Sequence, residues 1–366
     1  MAIESKLPSL TIGRHTLEVP IIGGGMSIGV AGPKYAAAFA NEGGAGTLGG
    51  VGRGQLTVNQ ELSHIPWQAD CLALQREIDY AREISPGVIG VNILMAMSWR
   101  KRLIQAAVGP KGEKSKINYL VVGAGFHEDV PLWTQHHPEV SLLLMASSDL
   151  GAVIMAKRWK EKHGRLPDGI IMEEPKTAGG HLGATKDKVN NPRVALEYSI
   201  PALLKRLREY PDWDIPIIAA GGIWDRADID RVLNLGASGV QMATRFVCTP
   251  ECDAPAEFKQ MYLEADKEDI VLVDSPVGIP GRAIRNKFIV DFEQGNIHDK
   301  CRAYCLMNCA CRDQGTHFCI MDRLVMTFEG DADNGLVFCG SNAWRSKEQG
   351  IVPVHDIFEE LTGGLR

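Results

Sequence analysis

Ile215-Pro216-Ile217-Ile218-Ala219-Ala220-Gly221-Gly222-Ile223 is the stretch that decides the fold. An apolar, β-rich run stops at two glycines, a helix-length amphipathic segment follows from Arg226 to Leu235, and a second apolar run opens at Gly239-Val240-Gln241-Met242-Ala243-Thr244-Arg245-Phe246. Two strands joined through a helix pair in parallel, since a hairpin turn cannot connect parallel neighbours. The same alternation runs back towards the N-terminus. Six further strand candidates precede these two: Val19 to Ile22, Ala45 to Leu48, Val88 to Leu94, Tyr119 to Val122, Val140 to Ala146 and Gly169 to Met172. Between them lie helix candidates at Lys34 to Glu42, Leu72 to Ile84, Trp99 to Val108, Glu128 to His137, Asp149 to His163 and Val194 to Glu209, and another, Ala254 to Ala265, follows the last strand.

Eight β/α units predict an α/β fold of the (β/α)8 TIM-barrel class rather than an open sheet. The glycines support this reading. They cluster after the strands, at Gly23-Gly24-Gly25, Gly49-Gly50, Gly123, Gly179-Gly180 and Gly221-Gly222, and in a barrel those strand ends form the one rim that carries the active site. No G-x-G-x-x-G opens a helix after the first strand, so a dinucleotide-binding sheet is poorly supported. After about Asp269 the alternation stops. The expected organisation is a barrel over residues 1–268 and, over 269–366, a mostly helical or irregular C-terminal appendage that carries a cysteine cluster and caps the substrate side, ending in a short helix from Val354 to Leu361.

Composition narrows the function classes. The chain has 366 residues, of which 45% are hydrophobic and 23% charged, with a net charge of -6 and no cluster of basic residues, so nucleic acid and anionic membranes are not expected partners. The first residues lack the charged-then-apolar pattern of a leader, and no apolar run approaches the ~18 residues that span a bilayer. A cytoplasmic protein with reduced thiols is expected. A small-molecule substrate fits this profile, and a homo-oligomer stays open.

Three places carry chemistry. Loops after the seventh and eighth strands make the usual phosphate site of a barrel. Gly221 and Gly222 would turn backbone N–H groups towards phosphate oxygens, with the Thr244 hydroxyl beside them; two tight turns with buried glycines are the alternative. After the sixth strand, Ala178-Gly179-Gly180-His181-Leu182-Gly183 sets an imidazole among glycines, a group that changes charge near neutral pH beside a backbone able to approach a ligand closely. Asn92 ends an apolar strand, where its amide is wasted unless it bonds a ligand, although a satisfied turn asparagine reads the same way.

Pro20-Ile21-Ile22-Gly23-Gly24-Gly25-Met26, Gly90-Val91-Asn92-Ile93-Leu94, the Ala178–Gly183 run, Ala219-Ala220-Gly221-Gly222-Ile223 and Ala243-Thr244-Arg245-Phe246 occur in that order. Together they resemble the nitronate monooxygenase (2-nitropropane dioxygenase) family, which includes FMN-dependent enoyl-acyl-carrier-protein reductases. The likeness covers residues 15 to about 290, including Ala283-Ile284-Arg285-Asn286. It implies a flavin mononucleotide barrel with the phosphate on Gly221, Gly222 and Thr244 and the isoalloxazine ring near Gly25, Met26 and Asn92. Gly24, Gly179, Gly180, Ala220, Met242 and Ala243 complete the implied contacts, and Glu174 and Gln241, which also end strands, are candidates for the polar edge of the ring. Met26 reads equally as core filler.

The resemblance makes His181 the catalytic proton-handling group near flavin N5. The leading reaction is oxidation of alkyl nitronates by dioxygen; the alternative is NAD(P)H-dependent reduction of an enoyl thioester. An electron-relay subunit carrying FMN and a cluster is a third reading, and a flavin-free phosphate-binding isomerase a fourth. Glu173-Glu174-Pro175 departs from the family pattern of a single acid followed by glycine, which predicts a stiffer loop into His181.

The second departure is larger. Cys301, Cys305, Cys309, Cys311 and Cys319 fall within nineteen residues as C-x3-C-x3-C-x-C-x7-C, out of nine cysteines in the chain. The i, i+4, i+8 spacing of the first three would align them on one helix face, though turns in a loop could gather them as well. An iron–sulfur cluster such as [4Fe-4S], a structural zinc, or unligated thiols remain open, with Cys301, Cys305, Cys309 and Cys319 as the expected ligands and Cys311 as the alternative fourth. Such a cluster could relay electrons or staple the appendage. Cys71, Cys248, Cys252 and Cys339 read as ordinary thiols.

Overall fold

An N-terminal hairpin, β1 (Leu10–Ile12) and β2 (His15–Leu17), leads into the first barrel strand of the computed structural model, which describes residues 6–52, 54, 66–123, 125, 127–301 and 304–363. The barrel strands are β3 (Ile21–Gly23), β4 (Ala45–Gly49), β5 (Val88–Leu94), β6 (Tyr119–Gly123), β7 (Ser141–Ala146) and β8 (Gly169–Glu173). A two-residue strand, β9 (Gly180–His181), lies outside it, and β10 (Ile217–Ala220) and β11 (Gly239–Met242) complete the ring. The eight parallel strands close by pairing β11 with β3. This is the TIM barrel that the alternation predicts.

The strands are apolar throughout because helices cover the outer face and packed side chains fill the inner one. Leu10, Ile12 and Leu17 of the hairpin pack with Ile22, Tyr119, Val121, Leu143, Ile171 and Ile218, so the hairpin plugs the barrel opposite the catalytic rim. Within that interior the hydroxyls of Thr47 and Tyr119 pair at 2.6 Å. Most helices form where the pattern places them. Asp149–His163 is capped by Ser148, whose side chain accepts from Gly151 N, and ends at the left-handed Gly164; Arg226–Asn234 starts at a capping box of Asp225 and Asp228. The expected Glu128 to His137 helix shrinks to the single turn Val130–Trp133, where the Thr134 hydroxyl donates back to the Val130 carbonyl.

The C-terminal hundred residues are woven into the barrel. Strands β12 (Ile270–Val273) and β13 (Gly281–Ile284) pair antiparallel, and β13 also pairs with β9, placing Gly281 opposite His181. Helices Lys287–Glu293, Ala310–Gln314, Ile320–Phe328, Ser346–Gln349 and Val354–Thr362 follow. The last lays Phe358 against Phe39 and Phe246, with ring centroids 5.3 and 5.8 Å away. One continuous apolar cluster reaches from Leu7 to Leu361. Among the described residues no helix is long and apolar enough to cross a membrane.

Candidate active site

The carboxyl ends of the barrel strands open into a cavity of about 790 Å³, a size suited to a cofactor-like ligand. At one side β10 runs into Gly221 (φ +93°) and Gly222 (φ +71°), left-handed conformations that favour glycine. A Cβ on Gly222 would lie 2.8 Å from the Thr177 Cβ. Asn342 Nδ2 donates to the Gly222 carbonyl at 2.8 Å, which fixes the turn. Thr244 Oγ1 accepts from Gly340 N–H at 3.0 Å and keeps its own proton for a ligand. Gly221, Gly222, Ala220, Gln241, Met242, Ala243 and Thr244 all line the cavity here.

The opposite wall comes from the turns after β3 and β5. Gly24, Gly25, Met26 and Asn92 line it, and a Cβ on Gly25 would meet the Asn92 Cβ at 2.5 Å. Asn92 is thus partly satisfied: Nδ2 donates to the Gly25 carbonyl at 3.2 Å, and the rest of the amide is left for a ligand. Met26 does both jobs, lining the cavity while packing against the core.

Between these walls stands His181, held more firmly than a glycine-rich turn would suggest. Strand β9 is hydrogen-bonded to β13, His181 Nε2 pairs with Ser275 Oγ at 2.8 Å, and Phe338 meets the imidazole edge-on at 5.3 Å. The loop into it is braced by buried Arg282, whose guanidinium donates to the carbonyls of Lys176, at 2.8 Å, and Ala178. An arginine thus braces the loop that Pro175 is expected to stiffen. Gly179 and Gly180 line the cavity with His181.

The ionisation differs from the sequence expectation. Burial pushes the His181 imidazole down to about 4, so at neutral pH it is an uncharged proton acceptor rather than a group in mid-titration. A cavity group that titrates near neutrality is Glu173, at the end of β8, which burial pushes up to about 7. Glu173 lines the cavity, whereas Glu174, the acid expected at the ring, does not. Glu174 accepts from Thr177 Oγ1 at 2.6 Å and borders a separate polar cavity with Lys176 and Arg231. A strand's alternation sends adjacent residues to opposite sides, and the double acid hid which of the two faces inward.

Sequence reasoning also passed over His127, Ser275 and Phe338. His127 lines the cavity, its ring is pushed below the usual histidine range by burial, and its Nε2 is buried without a hydrogen-bond partner among the described residues. Only its place just beyond β6 could have marked it. Ser275 and Phe338 come from the appendage, where no motif announces them.

Of the two arrangements open for the first three cysteines, the structure shows the irregular one. No helix carries the first three thiols; Cys301 and Cys305 lie in irregular chain, and Cys309 immediately precedes Ala310–Gln314. Among the described residues no three His, Cys, Asp or Glu side chains are arranged to hold a metal ion. All nine cysteines are free thiols.

A cavity with a glycine turn and a hydroxyl donor at one end, a small-residue wall with a spare amide at the other, and apolar side chains between fits a phosphorylated flat ring such as FMN. The nitronate monooxygenase family model matches residues 9–364. A Staphylococcus aureus protein named "probable nitronate monooxygenase" is 26% identical over 314 residues, covering 78% of this chain and 81% of that one. FabK from Thermotoga maritima superposes with a TM-score of 0.71 at 23% identity, covering 95% of this chain and 92% of that one. A nitroalkane oxidase from Streptomyces ansochromogenes gives a TM-score of 0.67 at 19% identity, with 95% of each chain covered.

Proposed function

This chain belongs to the nitronate monooxygenase family and is an oxidoreductase, and from that premise we propose that it binds FMN and oxidises small alkyl nitronates with dioxygen. The observation that carries the reading is the convergence of the Gly221-Gly222 turn, Thr244, Asn92 and His181 on a single cavity. Bound FMN would supply the electron-transfer chemistry. Backbone amides at Gly222 and the Thr244 hydroxyl would hold its phosphate, and the Asn92 amide and Gln241 would orient the ring.

The chain's own contribution to the chemistry is proton handling. His181, neutral at pH 7 and fixed by Ser275 and Phe338, would take up the α-proton of a substrate that arrives as the neutral nitroalkane, converting it to the nitronate that is oxidised. Glu173 remains largely protonated below about pH 7, so an anionic nitronate enters a cavity free of that like charge. Apolar lining from Ile28, Leu306, Ile320 and Met321 keeps water from the reacting atoms.

Purified protein should be yellow, consume oxygen with propyl-2-nitronate and release nitrite, and its flavin should stay oxidised on anaerobic mixing with NADH or NADPH. Rapid bleaching by either nucleotide, with no oxygen uptake on nitronate, would replace this reading with an enoyl reductase.

A further inference from the structure

Gly179 and Gly340 lie far apart in the chain and meet in the fold. A Cβ on Gly179 would come 2.7 Å from the Cys339 carbonyl carbon, and one on Gly340 would come 2.6 Å from the Thr244 hydroxyl oxygen. Neither glycine takes a positive φ, so what each supplies is room for close approach. The segment Cys339-Gly340-Ser341-Asn342 is thereby brought against the end of the cavity that carries the Gly221-Gly222 turn, and all four of its residues line that cavity.

Three bonds fix the segment there, each to a different strand end. Gly340 N–H donates to Thr244 Oγ1 after β11 at 3.0 Å, Ser341 N–H to the Thr177 carbonyl after β8 at 3.0 Å, and Asn342 Nδ2 to the Gly222 carbonyl after β10 at 2.8 Å. Just beyond, Arg345 donates to Asp225 at 3.1 Å, the residue that caps the helix Arg226–Asn234. These bonds spend the amides of Gly340 and Ser341 on the barrel and leave the Ser341 hydroxyl over. That hydroxyl has no hydrogen-bond partner among the described residues, and it is not sealed from solvent.

Among the described residues no lysine or arginine lines the cavity. A phosphate bound at this end is therefore held by neutral donors, and each of them counts. We propose that Ser341 is a ligand of the flavin phosphate, supplied by the C-terminal appendage opposite Gly222 and Thr244. The inference rests on the FMN reading above and extends it in two ways. The phosphate ties residues 339–342 to the barrel rim a fourth time, and the site becomes selective for the phosphorylated flavin, since riboflavin has no group to take the Ser341 proton.

The test compares FMN with riboflavin, titrated into the flavin-stripped full chain in phosphate-free buffer and followed by flavin fluorescence. Wild type should favour FMN. Ser341→Ala should weaken FMN binding about 10–100-fold, the worth of one hydrogen bond to a charged group, and leave riboflavin binding unchanged. Ser341→Asp, which sets a carboxylate against the phosphate, should weaken FMN further and again spare riboflavin. The flavin-free wild type and Ser341→Ala should melt at the same temperature, because the hydroxyl holds nothing in the protein. Unchanged FMN affinity in both variants overturns the proposal and leaves the FMN reading standing. An equal loss of riboflavin affinity, or a lower melting temperature without flavin, overturns it by marking a structural role. A wild type with no preference for FMN removes the phosphate site itself and this inference with it.

Discussion

His181 and Glu173 share one cavity, and burial moves them in opposite directions, because removing water penalises the charged form of each: the imidazolium in one and the carboxylate in the other. The stability consequences oppose each other. Below pH 6.5 an unfolded chain protonates His181 while the native one resists until about pH 4, so this group costs stability as pH falls through that window. Above pH 4.5 the unfolded chain releases the Glu173 proton that the native chain holds until about pH 7, so this group costs stability as pH rises. Glu173→Gln should therefore unmask the histidine, giving a melting temperature that climbs from pH 4.5 to 6.5 and no longer falls towards 7. The same variant should flatten the rise of the nitronate KM above pH 7. His181→Ala should keep stoichiometric flavin and lose about 10²–10⁴-fold in turnover of the neutral nitroalkane, and a wild-type-like rate would remove the imidazole from the chemistry. A histidine in a glycine run was legible as a candidate from sequence; its direction of titration was not, since that depends on Phe338 and Ser275 closing over it from far along the chain.

At the scale of elements, the turn after β10 is the most constrained part of the cavity. Both of its glycines take positive φ, and the space beside Gly222 is already filled by Thr177. Gly222→Val combines a strained backbone with a clash, so the variant should purify folded by circular dichroism but colourless, and a yellow stoichiometric product would place the phosphate elsewhere. This turn was legible because a strand ending in paired glycines needs only local information. The three-stranded sheet β12-β13-β9 was not: its middle strand begins about a hundred residues after His181 in the chain, and β9 is two residues long, too short to show any alternation. The hairpin of β1 and β2 escaped for a similar reason, with three residues per strand.

Over the whole molecule the appendage works as a strap. It contributes Ser275 and Phe338 beside the histidine, Gly340 and Asn342 at the phosphate turn, and Cys305 in the cavity wall, then crosses to the barrel exterior, where the terminal helix docks Phe358 between Phe39 and Phe246. Phe358 is fully buried, and Phe358→Ala should cost about 3–5 kcal/mol in denaturant unfolding. The loss should appear as one transition for flavin release and barrel unfolding, because the apolar cluster is continuous across both parts. Two separated transitions would show that the appendage melts independently.

The sequence by itself determined the barrel, the rim that carries the site and the glycine turns, since strand periodicity, helix length and glycine placement are local properties that the chain expresses wherever it goes. Tertiary structure alone decided which of two adjacent acids faces the cavity, which group titrates near neutral pH and what covers His181. Those outcomes depend on side chains brought together from distant parts of the chain and on how completely they exclude water, and neither quantity is written in any one stretch of sequence.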